Sequence, residues 1–103
     1  MRTLKEREEI SELAYEILDC LADDHENLEQ IEKIMADKDL CYSEAELREE
    51  LKRLIGASYV RCYEPVGYKL QRVSQPDFRK LSRYWFELTP KGELQRSASR
   101  SRS

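Results

Sequence analysis

The side chains best suited to chemistry in this sequence are its basic ones, which concentrate between residues 43 and 83. Guanidinium and ammonium groups donate hydrogen bonds to phosphate oxygens, and arginine also binds the edge of guanine. Lys52 and Arg53 lie on the outer face of a predicted helix, with Arg48 on its flank. The candidate contact residues for a polyanion are Ser43, Arg48, Lys52, Arg53, Arg61, Lys69, Arg72, Arg79, Lys80 and Arg83.

The charge is divided unevenly along the 103 residues, although the formal net charge is only −3. Residues 1–50 hold 6 Lys and Arg against 17 Asp and Glu, a net of −11. Residues 51–103 hold 12 against 4, a net of +8. This polarity bears on which partners the chain attracts and carries no information about its fold.

The remaining composition predicts one small domain without catalytic or metal-binding machinery. Three cysteines at wide spacing, Cys20, Cys41 and Cys62, fit buried core residues better than disulfides or a zinc knuckle. His25 is the only histidine, and the chain has no Gly-rich phosphate loop and no nucleophile motif. We therefore expect no enzyme activity, no cofactor and no metal.

No apolar run approaches the roughly 20 residues that cross a bilayer, and no signal-peptide pattern opens the sequence. The sequence thus predicts a cytoplasmic protein that does not bind membranes. Its hydrophobic fraction of 40% suffices for a single modest core.

The stretch from Ser43 to Tyr63 organises the rest of the chain. Ser43 and Glu46 form a capping box, in which each side chain satisfies an amide at the start of a helix. Gly56 ends the helix, and Ser58–Tyr63 alternates as a half-buried strand does. The apolar stripe of this third helix consists of Leu47, Leu51, Leu54 and Ile55.

Two helices precede this stretch. Apolar residues at helical spacing predict a first helix over Glu8–Ala22 and a second over Asn27–Ala36, with Asp23 and Glu26 as its caps. The expected order is therefore three helices before the strand.

A turn-rich segment, Glu64–Ser82, follows the strand, and a returning strand covers Arg83–Thr89. Tyr68, Leu70 and Val73 alternate weakly, so part of the segment could extend the hairpin. Thr89-Pro90 caps a short turn of helix, and residues 95–103 form a disordered Ser/Arg tail. The predicted fold is α+β: a three-helix winged helix-turn-helix over residues 1–94 with a two-stranded antiparallel wing.

Two passages carry a resemblance to a known family. The passage LREELKRLIGASYVRCYE looks like the recognition helix leading into the wing of bacterial winged-helix regulators, and RYWFELTPKGEL looks like the returning wing. The resemblance to PadR-like and MarR-like transcriptional regulators covers about Glu8 to Leu94. It implies regulation of transcription through duplex DNA, with helix 43–55 in the major groove and the basic wing 61–83 on the adjacent backbone or minor groove.

Acidic residues on the same surfaces keep a second hypothesis open. Glu49 lies near the middle of the outer face of the third helix, and Asp23, Asp24 and Glu26 precede the second helix, where they would repel phosphates. The alternative is a winged-helix module that binds a protein partner through the acidic helices or the Trp85 face, and not DNA. A homodimer through the first helix or the wing also stays open.

The aromatic residues Trp85, Tyr59 and Tyr63 are expected close together on the outer face of the hairpin. They could stabilise the hairpin as a cross-strand patch or form a protein contact surface.

Overall fold

The computed structural model describes residues 10–101 and contains four α-helices and four strands in that range. The α-helices are α1 (Glu12–Cys20), α2 (Leu28–Asp37), α3 (Glu44–Gly56) and α4 (Pro90–Ser101). The strands are β1 (Glu26–Asn27), β2 (Val60–Val66), β3 (Lys69–Val73) and β4 (Trp85–Leu88), and a 3₁₀ turn covers Phe78–Arg83. The predicted α+β class is confirmed.

The strands form one antiparallel sheet in the order β1-β4-β2-β3. Phe86 of β4 lies opposite Glu26 on one side and Cys62 on the other, so β4 occupies an inner position. β3 pairs only with β2 and forms an edge of the sheet. The short β1 was not predicted, because two residues are too few to show an alternating pattern.

The core lies between the sheet and the helices. Phe86 at the centre of β4 is fully buried and packs in one cluster with the apolar stripes of α1, α2 and α3. The other almost fully buried large side chains are Ile17, Leu18, Ile31, Leu51 and Leu81. Tyr84, Phe86 and Leu88 face this core as the alternation predicted, with Leu88 only partly buried.

Hydrogen-bonding caps fix the starts of the first three helices. Ser11 caps α1, so this helix starts later than predicted among the described residues, while Glu8 and Glu9 lie outside them. The predicted caps of the second helix are wrong: Asn27 and Gln30 form its capping box, at 2.9 and 3.1 Å. Amide oxygens serve as well as carboxylates here, because each only has to accept one backbone N–H.

The segment after β2 contains more regular structure than the sequence predicted. Residues 64–82 hold the end of β2, the whole of β3 and most of the 3₁₀ turn. The extension of the hairpin that the weak alternation left open is therefore present, whereas the 3₁₀ turn was not predicted. Gly67 has a φ of 63°, which allows the two-residue turn between β2 and β3. Ser58 has a φ of 68° and lies in the turn before β2 rather than in the strand.

The C-terminal helix is longer than the predicted short turn. Thr89 caps it as expected, since its Oγ1 accepts from Gly92 N at 2.9 Å. A disordered tail from residue 95 is wrong for residues 95–101, which continue α4. Arg96 explains this: its guanidinium contacts Asp19 of α1 and Glu93 of α4, each at 3.0 Å. Residues 102 and 103 of the predicted tail lie outside the described part.

Gly92 allows α4 to approach the turn that leads into β2. A Cβ at this position would overlap the carbonyl oxygen of Tyr59. The close approach also lets Thr89 donate from Oγ1 to the carbonyl of Ser58 at 2.7 Å. Across residues 10–101, no helix is long and apolar enough to cross a membrane.

Candidate nucleic-acid interface

The three cations of α3 are each paired with a carboxylate of the same helix. Arg48 Nη2 lies 2.9 Å from Glu44 Oε2, and Arg53 Nη1 lies 3.4 Å from Glu50 Oε1. Lys52 Nζ lies 3.6 Å from Glu49 Oε2. We call Arg48, Lys52 and Arg53 the paired cations; their neighbours weaken the field that the outer face of α3 presents to a polyanion.

Ser43 is the N-cap residue of α3. Its Oγ accepts from Glu46 N at 3.1 Å, and its own N–H donates to Glu46 Oε1 at 2.9 Å. The predicted capping box is therefore confirmed. A ligand could still receive the hydroxyl proton, because a serine hydroxyl donates once and accepts twice.

Arg61 lies at the base of the hairpin in a mixed electrostatic environment. It is directly opposite Glu87 across the sheet, and its Nε lies 3.7 Å from Glu87 Oε1. This buried Nε has no hydrogen-bond partner among the described residues. The side chain also lines an open concavity of about 700 Å³ with Asp23, Asp24 and Glu93, so it faces carboxylates as much as solvent.

The β2–β3 hairpin presents two cations that no carboxylate neutralises. Lys69 and Arg72 of β3 are exposed, and within residues 10–101 neither has an ion-pair partner. Ile55 of α3 and Arg72 line a common concavity, so the base of the hairpin lies close to the C-terminal end of α3.

The 3₁₀ turn presents three further cations from a firmly held backbone. Leu81 and Tyr84 are buried, and Tyr84 Oη accepts from Asp77 N at 2.9 Å. Asp77 caps the turn, and the hydrogen bond from the backbone of Arg79 is the main reason that the pKa of its carboxyl lies below the ordinary value.

Arg79, Lys80 and Arg83 of this turn are all exposed. Arg79 pairs with Asp77 at 3.3 Å, whereas Lys80 and Arg83 have no ion-pair partner in the described part of the chain. We call Lys69, Arg72, Lys80 and Arg83 the unpaired cations.

Phe78 connects the turn to α3. Its ring centroid lies 5.8 Å from Lys52 Nζ, within the range of a cation–π contact. The turn also packs against α2. The structure thus brings the 3₁₀ turn beside α2 and α3. Phe78 and Lys52 are 26 positions apart in the chain, so the sequence did not reveal this contact.

The predicted aromatic trio is divided between two sites. Tyr63 and Trp85 lie opposite each other on β2 and β4, and His25 meets Trp85 edge-on with ring centroids 5.8 Å apart. Tyr59 lies elsewhere, with Lys91 Nζ 5.3 Å from the centroid of its ring. Tyr63 Oη donates to Glu87 Oε1 at 2.8 Å, and this hydrogen bond is the main cause that raises the pKa of Tyr63.

The acidic residues before α2 are exposed or half-buried next to this aromatic site. Asp24 Oδ1 accepts from the backbone N–H of His25 at 2.8 Å and lies 3.3 Å from its Nδ1. Burial, followed by the charge of Asp24, raises the pKa of Glu26. The molecule therefore carries an acidic concavity as well as the four unpaired cations.

The described residues contain no group of three or more His, Cys, Asp or Glu side chains that could hold a metal ion.

Burial raises the pKa of Cys20 to about 11 and that of Cys62 to about 12, so both thiols stay protonated near neutral pH. Cys41 is exposed.

Sequence reasoning missed Phe78 and the apolar tip of the hairpin as functional candidates. The signal for the tip was the weak alternation after Gly67, whereas the pairing of β2 with β3 puts Tyr68 in the turn. Nothing local indicated Phe78, because its contact with Lys52 arises only from folding.

Comparison of the chain with protein-family models, with curated proteins and with solved structures found no match.

Proposed function

We propose that this chain is a winged-helix protein that binds duplex DNA and regulates transcription. The observation that carries the proposal is the set of four exposed, unpaired cations on two segments that adjoin α3. Duplex DNA is a polyanion for which cations on segments beside a helix are suited, because an α-helix fits the major groove while cations contact phosphates.

The order of elements supports a winged helix. A strand precedes α2, α2 and α3 are joined by a short connection, and α3 leads directly into β2. In this proposal β1, β4 and β2 form the sheet behind the helices, and the β2–β3 hairpin is the wing. The 3₁₀ turn is an addition between the wing and β4 that brings basic residues next to the helices.

The unpaired cations dominate the expected electrostatics. Each phosphate neutralised in a duplex contributes about −0.9 to the slope of log K against log salt concentration. Four contacts therefore give a slope of about −4, before any contribution from the paired cations or Arg79. Binding is expected to be strong at low salt and to weaken steeply as salt is added.

The acidic concavity favours a second function, in which the chain binds a protein and not DNA. Asp23, Asp24, Glu87 and Glu93 line it, next to the aromatic pair of His25 and Trp85. Aromatic residues are enriched at protein interfaces, and the carboxylates would exclude nucleic acid from this side. Such a partner would present basic residues.

An anisotropy titration with a mixed-sequence duplex decides between the two functions. We expect binding at about 50 mM salt and a loss of about two orders of magnitude or more by about 200 mM. Lys80→Gln should reduce the slope by about 0.9, whereas Lys33→Gln, at an exposed position of α2 outside the proposed contacts, controls for the loss of one charge. Absence of binding at low salt would contradict the DNA proposal and favour the protein partner.

A further inference from the structure

The tip of the β2–β3 hairpin projects beyond the rest of the sheet. Pairing between β2 and β4 ends at Tyr63 and Trp85, whereas pairing between β2 and β3 continues to Val66 and Lys69. Three cross-strand pairs therefore have no support from β4. At about 3.4 Å per residue, the hairpin extends about 10 Å past the sheet.

The apolar side chains of this projecting tip are exposed in the described part of the chain. The exposed fractions are 50% for Val66, 107% for Tyr68 and 39% for Leu70. Of the two turn residues, only Gly67 has a positive φ, which is the pattern of a type II′ turn. This tight turn holds the phenol ring of Tyr68 at the extreme end of the hairpin.

The charges around the tip indicate what covers it. Lys69 and Arg72 are three residues apart on β3, and since side chains alternate along a strand, they project from opposite faces of the hairpin. Glu64 is the only carboxylate in the projecting pairs, and it lies farthest from the turn. Lys69 thus lies beside the turn, and Arg72 lies on the other face about 10 Å nearer the base of the hairpin. This arrangement complements a surface with a stacked apolar floor between two anionic walls.

The minor groove of a duplex has this form. It is about 6 Å wide and about 7.5 Å deep, with a phosphate backbone along each side. A hairpin that extends about 10 Å can reach the floor, but two strands about 4.8 Å apart fill the width before their side chains are counted. The turn can therefore enter fully only if the groove opens.

We infer that Tyr68 inserts between base pairs from the minor groove and bends the DNA, while Lys69 and Arg72 contact the phosphates on its two sides. This inference rests on the proposed function. Apolar side chains inserted in this way unstack a base step and kink the duplex by about 20–90° toward the major groove. The kink widens the minor groove, which removes the steric restriction on the hairpin.

A preference for deformable base steps follows. Pyrimidine–purine steps such as TA and CA unstack more easily than others, whereas A-tracts are stiff and narrow in the minor groove. A duplex with a TA step beneath the tip should therefore bind more tightly than one with an A-tract there.

The test measures affinity and bending together, in the full chain, with duplexes labelled at both ends for energy transfer. Wild type and Tyr68→Phe should bring the ends together by the same amount. Tyr68→Ala should leave the DNA nearly straight and weaken binding about 5- to 150-fold, the range that one base–aromatic stack contributes. Because Tyr68 is exposed, its replacement should not alter the thermal unfolding midpoint.

Lys69→Gln serves as the matched control at the adjacent residue. It should reduce the salt slope by about 0.9 and leave the bend intact. If wild type binds duplexes and Tyr68→Ala changes neither affinity nor bending, the inference is wrong and the proposed function stands. If wild type fails to bind any duplex at low salt, both are wrong.

A second arm tests the other anionic surface that an apolar, basic tip would fit. Vesicles of phosphatidylserine and phosphatidylcholine should not bind the chain in a Tyr68-dependent manner. Sedimentation of wild type but not Tyr68→Ala with these vesicles, without an effect of Tyr68 on DNA, would assign the tip to membranes and overturn the inference.

Discussion

The outer face of α3 and the segment from β3 to the 3₁₀ turn differ in how their charges are arranged. In α3, four glutamates accompany three cations, and each cation lies within 3.6 Å of a carboxylate. Residues 61–83 contain six Lys and Arg but only two Asp and Glu, and four of these cations are unpaired in the described structure. In the proposed DNA complex, the place of α3 in the fold favours this helix as the main contact. The distribution of charge instead favours the hairpin and the 3₁₀ turn.

The difference shows that a basic side chain is not equivalent to a basic surface. Neighbours three or four residues apart on a helix face each other, so the glutamates of α3 reach its cations without any help from the tertiary structure. The unpaired cations of β3 and the 3₁₀ turn have no carboxylate within ion-pair distance in the described structure, whereas Arg79 in the same turn pairs with Asp77. Among the candidate contact residues, those without a carboxylate partner therefore lie on β3 and in the 3₁₀ turn and not on α3.

Removal of the four unpaired cations is expected to have the largest effect. Their joint replacement by glutamine should weaken duplex binding about a hundredfold or more at moderate salt and reduce the salt slope by about 4. The same change to the three paired cations of α3 should weaken binding less than about tenfold, since each already interacts with a glutamate. Anisotropy titrations measure the affinity of both variants for the duplex. If both lose the same affinity, the cations of α3 contribute as much as the unpaired cations and the contrast between the two regions is wrong.

The anchoring of α3 can be tested through its cap. Ser43→Ala should lower the free energy of unfolding by about 1 kcal/mol, because the amide of Glu46 loses its acceptor. Ser43→Asn retains an acceptor and should be close to wild type, while Ser74→Ala in the exposed loop is a control. Urea denaturation measures the free energy of unfolding of all three variants. If Ser43→Asn is as stable as wild type but loses DNA binding, Ser43 has a role beyond the helix cap.

Removal of one carboxylate from α3 should strengthen binding modestly. Glu49→Gln frees Lys52 and removes a repulsive charge, so affinity should rise about two- to fivefold and the salt slope should steepen by at most about one unit. Glu29→Gln, on the exposed side of α2, is matched in net charge. A gain of the same size in both variants would show that only the overall charge matters.

The smallest expected effect concerns the cap of the 3₁₀ turn. The carboxyl of Asp77 has a pKa below its ordinary value of 3.8, so its contribution to stability is present above that pH and is lost as the pH falls through the folded pKa. Asp77→Asn should therefore reduce the dependence of unfolding on pH below about 4. A pH series of urea melts that is identical for the two proteins would exclude this contribution.

The sequence predicted the helical elements better than the segment between β2 and β4. The leucine stripe and the capping box of α3 are local patterns, so they identified the helix directly. The weak alternation at Tyr68 and Leu70 indicated β3 only as a possible extension of the hairpin, because both side chains are exposed and no buried face imposes a period. Likewise, the Ser/Arg composition of residues 95–101 concealed a helix that Arg96 ties to Asp19 of α1.

The candidate site also combines features that the sequence predicted with features that only the folded structure shows. The basic character of residues 61–83 was visible in the sequence, but whether each cation is paired depends on which carboxylate lies beside it. Arg61 illustrates this, since Glu87 is 26 positions away and reaches it only through the pairing of β2 with β4.

The sequence by itself therefore determined the α+β class, the cap and stripe of α3, and the change from an acidic to a basic half, because these depend on spacing within a few residues. Only the tertiary structure decided that the hairpin projects past the sheet with Tyr68 at its tip and that Phe78 lies over Lys52. Those features depend on strand register and on packing between distant segments, which no local spacing specifies.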